Sequence, residues 1–189
     1  DGNADFAVGA GGYDDNGSQS GRMFVFYGGS STAPTLADAE VIYGANYYDY
    51  IGKQDTISAF GDLDGDGTDD WGFGSGYANN YAGAAWVYYG GTSTSWATTA
   101  DADASFVGTS SYSYFGDQVK GGADIDGDGY DDLMVNDELG GYIWSGGATR
   151  LTDADTYSIS ITDSSISYGY FDSSDSQIGD YNGDGNADV

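Results

Sequence analysis

Short apolar segments alternate with polar, glycine-rich connections along the whole chain. Residues 22–27, 84–89 and 141–144 are rich in aromatic and aliphatic side chains, and shorter segments of the same kind lie at 41–43 and 106–107. Runs of this length and composition predict β-strands. No window shows the 3.6-residue period of an amphipathic helix, so the pattern predicts an all-β protein.

A glycine pair follows each of the three aromatic segments and marks an internal repeat. The pairs are Gly28-Gly29, Gly90-Gly91 and Gly146-Gly147. Each repeat is roughly 60 residues long and holds about four predicted strands, which is typical of a β-propeller blade. The sequence therefore predicts about three four-stranded repeats that belong to a larger propeller or assembly.

Near-copies of one acidic phrase lie at 62–70, 124–132 and 180–188, and the chain opens on a truncated copy at 1–5. Each full copy has oxygen-bearing side chains at positions 1, 3, 5 and 9 and a glycine at position 6. Hard cations such as Ca2+ prefer oxygen ligands, and the glycine lets the loop fold back around the ion. With a backbone carbonyl at position 7, the predicted ligands are Asp62, Asp64, Asp66, Thr68, Asp70, Asp124, Asp126, Asp128, Tyr130, Asp132, Asp180, Asn182, Asp184, Asn186 and Asp188, and in the truncated copy Asp1, Asn3 and Asp5.

These loops differ from EF-hands. An EF-hand supplies a bidentate Glu at position 12 and lies between two helices, whereas position 12 is here Phe73 or Val135. The residues at 70–74 and 132–135 are apolar runs that predict buried strands, so the ion would lie in a compact turn between two strands. The alternative is a solvated turn that binds nothing, because Asp and Gly favour turns in any case.

The chain is strongly acidic, with 31 acidic residues against 4 basic ones and a formal net charge of -27. Charge of this size repels itself in a compact state, so bound cations would stabilise the fold. A halophilic or marine source would give the same acidic excess. No basic patch exists to bind nucleic acid, and no apolar run approaches the roughly 20 residues of a membrane helix. We therefore expect neither nucleic-acid binding nor membrane insertion in this segment.

The chain contains no Cys and no His, which leaves out the usual catalytic triads and thiol mechanisms. Paired carboxylates can hydrolyse glycosides, but nearly all the clustered ones belong to the predicted metal loops. We therefore expect no enzymatic activity. Millimolar-range calcium sites favour an extracellular or cell-surface location, where this ion is abundant.

The segment from Phe115-Gly116 through the acidic loop and its apolar strand to Gly146-Gly147 resembles the FG-GAP repeat. That repeat builds the seven-bladed β-propeller of integrin α-subunits and of many secreted bacterial proteins. The resemblance covers the whole chain and implies that the Asp and Asn residues named above are calcium ligands. The chain departs from the family pattern at Ile51-Gly52 and Phe171-Asp172, where the family has Phe-Gly, and at the Gly-Ala-Pro segments, which are altered at 9–11, 74–76 and 136–138.

The repeat boundaries predict one propeller segment over 1–189. Two full repeats span 36–97 and 98–150, while 1–35 and 151–189 correspond to the second and the first half of a blade. Three repeat equivalents leave unpaired strand edges. We therefore expect a piece of a longer polypeptide, or a unit that self-assembles through its incomplete end blades.

Tyrosines are concentrated in the connections, at residues 47, 48, 50, 77, 81, 112, 114, 168 and 170. Tyr among Ser, Gly and Asn is typical of recognition surfaces; the alternative is that these rings pack between blades. We expect a calcium-stabilised propeller that serves adhesion or recognises a protein or saccharide ligand. A structural calcium-loaded repeat subunit of an extracellular fibre or surface layer, and a non-catalytic appendage of a secreted enzyme, are the alternatives.

Overall fold

The computed structural model describes residues 3–29, 33–53, 56–91, 95–162, 178–183 and 187–188. The strands in these residues are β1 (Phe6–Ala10), β2 (Arg22–Phe26), β3 (Glu40–Tyr43), β4 (Ile57–Gly61), β5 (Asp70–Ser75), β6 (Ala84–Tyr88), β7 (Ala104–Val107), β8 (Gln118–Lys120), β9 (Leu133–Asp137), β10 (Gly140–Trp144) and β11 (Ile159–Thr162). Helix in the same residues is limited to one α-helical turn, α1 (Ala78–Tyr81), and two 3-10 turns, Leu36–Asp38 and Thr99–Asp101. The predicted all-β class is confirmed for this part of the chain, and none of its helices is long and apolar enough to cross a membrane.

The strands form three antiparallel sheets that follow one another along the chain. The first sheet has the order β1-β2-β3, the second β4-β5-β6-β7 and the third β11-β10-β9-β8. Each strand pairs with its neighbour in sequence, as short connections favour. Each sheet takes its last strand from the beginning of the next sequence repeat, so the sheet and the repeat unit are offset by one strand.

The strands that follow the acidic loops, β5 and β9, lie in the middle of their sheets. Every residue of β9 is buried, and in β5 only Trp71 is partly exposed. β6 is buried throughout as well, whereas every residue of β11 is exposed. Burial on both faces explains why these central strands are continuous apolar runs without alternation of polar and apolar residues.

Two apolar cores join neighbouring sheets, and burial of their side chains is the main force that holds the sheets together. The core between the first and second sheets contains Met23, Ile42, Ile51, Phe73, Trp86, Tyr88 and Trp96. The core between the second and third sheets contains Phe60, Val87, Phe106, Phe115, Val119, Leu133, Val135 and Trp144.

Ile51 and Phe115 occupy equivalent positions in these two cores. The Ile51 N–H donates to the Ser20 carbonyl at 3.2 Å, and the Phe115 N–H donates to the Ala82 carbonyl at 3.1 Å. Both side chains are buried, with 0% and 6% of their surface exposed. The change from Phe to Ile therefore keeps an apolar side chain at the same place. The other departure from the Phe-Gly pattern, at 171–172, lies outside the described residues.

The first glycine of a pair lies directly against the backbone of an acidic loop. A Cβ at Gly90 would lie 2.3 Å from the carbonyl oxygen of Asp69, and a Cβ at Gly146 would lie 2.2 Å from that of Asp131. No side chain fits at such separations. Around the Cβ position of Gly147, in contrast, no atom lies within 4 Å.

We expect Gly146→Ala to lower the free energy of unfolding by about 1–3 kcal/mol, because the added methyl group forces the loop and the strand end apart. Gly147→Ala is the matched control, one residue away in open space, and should change stability by less than about 1 kcal/mol. Thermal unfolding of both variants in one buffer measures the difference. Equal losses in the two variants would contradict the close approach.

Candidate metal sites

The acidic loops lie in the connections between the first two strands of the four-stranded sheets. The first loop joins β4 to β5 and the second joins β8 to β9. In both loops position 9 is at the start of the following strand: Asp70 opens β5, and Asp132 directly precedes β9. The third loop follows β11 and is described at 180–183 and 187–188.

In the first loop the carboxylates at positions 1, 3 and 5 accept hydrogen bonds from the loop's own backbone. Asp62 accepts from the N–H groups of Asp66 at 3.0 Å and Gly67 at 2.9 Å. Asp64 also accepts from the Asp66 N–H at 3.0 Å, and Asp66 accepts from the Thr68 N–H at 2.9 Å. These bonds fix the orientation of the three carboxylates relative to the loop backbone.

The second loop repeats this pattern position by position. Asp124 accepts from the N–H groups of Asp128 at 3.1 Å and Gly129 at 2.8 Å. Asp126 accepts from the Asp128 N–H at 3.2 Å, and Asp128 accepts from the Tyr130 N–H at 3.0 Å. Positions 4 and 6 are glycines with φ of 73° and 87° in the first loop and 80° and 97° in the second, a left-handed conformation that glycine adopts readily.

The carboxylate at position 9 ties each loop to the strand end that carries the glycine pair. Asp70 accepts from the Gly90 N–H and from the position-2 amide of its own loop, both at 2.8 Å. Asp132 accepts from the Gly146 N–H at 2.9 Å and from its own position-2 amide at 2.7 Å. In the truncated copy, Asp5 accepts from the first glycine of its pair at 2.7 Å.

Three carboxylate oxygens lie within 4.8 Å of one another in each of these two loops, which is close enough to ligate one metal ion. The clusters are Asp62, Asp64 and Asp70 in the first loop and Asp124, Asp126 and Asp128 in the second. Burial, together with the charges of Asp64 and Asp66, raises the pKa of Asp70 to about 7, although bonds from two amides oppose this shift. A bound cation would restore the ionised form. The oxygen-only donor set fits a hard metal ion.

The remaining predicted ligands lie near these clusters or in the other copies of the loop. Asp66 and Asp132 stand in the same two loops but outside the clusters, and Thr68 and Tyr130 occupy position 7. In the third loop Asp180 accepts from the Gly183 N–H at 2.7 Å.

The third loop also keeps the contact between position 9 and position 2. Asp188 accepts from the Tyr181 N–H at 2.9 Å and from the Asn182 N–H at 3.2 Å. Asn3 of the truncated copy lies beside the glycine pair at 28–29. Asp1, Asp184 and Asn186 lie outside the described residues.

Arg150 is part of the first loop's surroundings although it comes from the next repeat. Its guanidinium donates to Asp66 at 3.1 Å and to Asp64, and it lies 4.7 Å from the centre of the Tyr89 ring. The acidic motif does not predict this contact, because Arg150 lies far from the loop in the sequence. The guanidinium offsets part of the negative charge of the first loop.

The backbone also links each loop to the next one. The Asp131 N–H donates to the Asp62 carbonyl at 3.2 Å, and the Asp131 carboxylate accepts from the Asp62 N–H at 2.9 Å. The Ala187 N–H makes the same type of bond to the Asp124 carbonyl, at 3.3 Å. The loops therefore form a connected row along one end of the sheets, which sequence reasoning missed because position 8 carries no predicted ligand.

Tyrosine-rich connections lie at the opposite end, since successive connections of an antiparallel sheet alternate between its two ends. The rings form a continuous chain of contacts. Their centroid distances are 6.1 Å for Tyr48–Tyr50, 5.2 Å for Tyr50–Tyr77, 6.0 Å for Tyr77–Tyr114, 5.8 Å for Tyr81–Tyr114 and 5.3 Å for Tyr81–Tyr112. We call this set of rings the tyrosine face.

Several residues of the tyrosine face have a left-handed backbone. The φ angles are 62° at Tyr48, 51° at Tyr50, 65° at Tyr112 and 53° at Tyr114. A bulky residue in this region is strained, and such strain often accompanies functional sites. Tyr48 and Tyr112 are 52% and 60% exposed, so the face presents aromatic surface to the solvent as well as packing ring on ring.

Comparison with known proteins adds no family. No protein-family model matches the chain, and no curated protein sequence matches it significantly.

The two kinds of carboxylate in the loops should behave differently on substitution. Asp132→Ala should cost about 2–4 kcal/mol of stability, because it removes a buried carboxylate and leaves two amides without their acceptor. Asp128→Ala, at an exposed position, should change stability by less than about 0.5 kcal/mol when no metal is bound.

Urea unfolding in a chelator measures both variants, with sucrose added so that both start folded. Similar losses of stability would show that position 9 has no special structural role.

Proposed function

We propose that the chain is a calcium-stabilised extracellular β-propeller segment that serves adhesion or the recognition of a protein or saccharide ligand, and that it has no catalytic role. The observation that supports the metal is that two separate loops share one pattern of backbone-to-carboxylate hydrogen bonds and that each brings three carboxylates together. A turn that binds nothing has no need to hold three carboxylates within 4.8 Å of one another in a protein of this negative charge. The proposed FG-GAP resemblance draws its support from the same loops.

The calcium ligands would be the carboxylates of the two clusters, completed by Asp66, by Asp132 and by the carbonyl groups of Thr68 and Tyr130. The equivalent residues of the third loop would form a further site. Calcium would supply positive charge there, and the oxygens of the loop would coordinate it. The residues of the chain keep the loop closed and fix it to the glycine pair, so that the ends of the central strands are held together.

The three sheets support a propeller arrangement. Each is an antiparallel meander of neighbouring strands. Apolar cores join the first sheet to the second and the second to the third, and backbone hydrogen bonds link the first acidic loop to the second and the second to the third. Repetition of one such step around an axis is how propeller blades are arranged. Recognition would use the tyrosine face, where rigid aromatic surface is exposed at low entropic cost.

Calcium titration of the chain with two ligand variants tests the metal sites. Asp64→Ala and Asp126→Ala should each lower the affinity of one site by about tenfold or more, because losing even an outer-sphere partner of a metal costs about 10–100-fold. Isothermal titration calorimetry gives the affinity and the number of sites, and circular dichroism reports the fold.

Asp69→Ala is the matched control for charge. It lies at position 8 of the first loop, is exposed, and stands outside the cluster. Its calcium affinity should stay near that of the parent chain. If Asp64→Ala and Asp126→Ala also bound calcium as the parent does, the metal proposal would be wrong.

Self-association into an extracellular fibre or surface layer is a second candidate function, favoured by the outer strands. Among the described residues no strand pairs with the free edge of β1, and Phe6 and Val8 on this strand are 49% and 48% exposed. On β11, Ile159 and Ile161 are 39% and 44% exposed. Apolar strands with a free edge are templates for pairing with another chain.

Sedimentation velocity in saturating calcium tests this candidate. We expect a concentration-dependent assembly that Val8→Lys shifts toward the monomer, because a charge on the edge strand opposes pairing. Leu36→Lys is the control, since Leu36 is exposed but lies on a 3-10 turn away from β1. A parent chain that is monomeric at all concentrations would exclude the second candidate.

A further inference from the structure

A cleft of about 520 Å3 opens between β7 of the second sheet and β10 of the third. Its aromatic wall is a contact cluster of five rings. Trp144 lies 4.5 Å from Phe106, 6.0 Å from Phe115 and 5.9 Å from Tyr157, and Tyr142 lies 4.9 Å from Tyr157. The inner rings are buried, whereas Tyr157 is 47% exposed at the mouth.

Three carboxylates complete the lining of the cleft. Asp137 accepts from two backbone amides and from the Tyr142 hydroxyl. Asp153 accepts from Ser105 with one oxygen, and Asp155 accepts from Thr152 with one oxygen. Asp153 and Asp155 are exposed, and within the described residues the second oxygen of each accepts no hydrogen bond from the protein.

No basic side chain lines this cleft. The four basic residues of the chain all lie in its described part: Arg22, Lys53, Lys120 and Arg150. Arg22 pairs with Asp15, Arg150 pairs with the first acidic loop, and Lys53 lies 3.9 Å from the centre of the Tyr77 ring. The carboxylates of the cleft therefore have no positive partner from the described chain.

The core between the first and second sheets has a different side chain at the corresponding position. There Trp96 packs 5.2 Å from Tyr88 and 5.8 Å from Trp71. Trp96 precedes the turn that begins at Thr98. In the next repeat, the residue at the same distance before the equivalent turn at Thr152 is Arg150, and its side chain bonds to the first acidic loop. The two interfaces therefore differ at this position, which holds a buried Trp in one and an Arg engaged by an acidic loop in the other.

We propose that this cleft binds an alkylammonium group, either of a small amine or of a lysine side chain on another protein. The ammonium group meets the carboxylates of Asp153 and Asp155, and the alkyl chain lies along the rings of Trp144 and Tyr157. Aromatic faces attract cations, and charge-assisted hydrogen bonds to carboxylates are stronger than those between neutral groups. The site goes beyond the proposed calcium-dependent function, because none of its residues belongs to an acidic loop.

Ligand-observed NMR on the whole chain in saturating calcium tests the proposal. The probes are butylammonium, Nα-acetyl-lysine amide, butan-1-ol as the uncharged isostere, and methyl glucoside as a saccharide. Both ammonium probes should bind and compete with each other, whereas the alcohol and the glucoside should not displace them. Binding of butylammonium without the lysine derivative would assign the site to small amines, and binding of both would extend it to lysine side chains.

Matched variants locate the binding. Asp155→Asn and Tyr157→Leu should each weaken binding of butylammonium by about tenfold. Asp101→Asn is the control for Asp155, because Asp101 caps the equivalent turn at Thr98 but lies outside the cleft. Tyr181→Leu is the control for an exposed ring. Circular dichroism confirms the fold of each variant, and Asp153→Asn replaces Asp155→Asn if the loss of the turn cap unfolds the chain.

Repeating the titration in a chelator separates this proposal from the calcium proposal. Amine binding by a folded chain that binds no calcium would support the cleft and contradict the metal sites. A folded, calcium-loaded chain that binds neither ammonium probe would overturn the cleft and leave the metal sites intact. Equal binding of the alcohol or the glucoside, or equal losses in the Asp101 and Asp155 variants, would also overturn the cleft.

Discussion

The hydrogen bond between the position-9 carboxylate and the first glycine of the pair is the contact on which the rest of the repeat depends. It joins Asp70 to Gly90 and Asp132 to Gly146. The same carboxylate accepts a second amide bond from its own loop, so a single buried group closes the loop and anchors it to a strand end. Because the first glycine touches the loop backbone directly, this contact also explains why a glycine recurs at that position.

Closing the loops in this way concentrates negative charge at one end of the sheets. Three carboxylates of each of the first two loops lie within 4.8 Å of one another, and burial, together with the nearby charges of Asp64 and Asp66, raises the pKa of Asp70. In the first loop, Arg150 offsets part of the negative charge by pairing with Asp64 and Asp66. A divalent cation would offset the negative charge of each whole loop. It would lie at the end of the sheets where neighbouring loops bond to one another.

The opposite end of the sheets and the spaces between them have different chemistry. The tyrosine face lies at the far end from the acidic loops. Several of its residues have a strained backbone, and the rings of Tyr48 and Tyr112 are exposed. Between the sheets, the repeat is less regular than its loops: Trp96 packs against Tyr88 in one interface, while the other has a cleft of aromatic rings and carboxylates. The loops therefore keep one pattern, whereas the side chains between the sheets differ from one interface to the next.

The sequence alone determined the all-β class, the strands on either side of the first two acidic loops and the positions of their carboxylates. These features depend on residues close together in the chain, where alternation, glycine and aspartate leave few choices. Only the tertiary structure decided that Arg150 lies on Asp64, that Asp131 bonds to the preceding loop, and that Asp153 and Asp155 line a cleft with Trp144. Those contacts join residues from different repeats, and sequence periodicity contains no information about which side chains meet once the sheets pack.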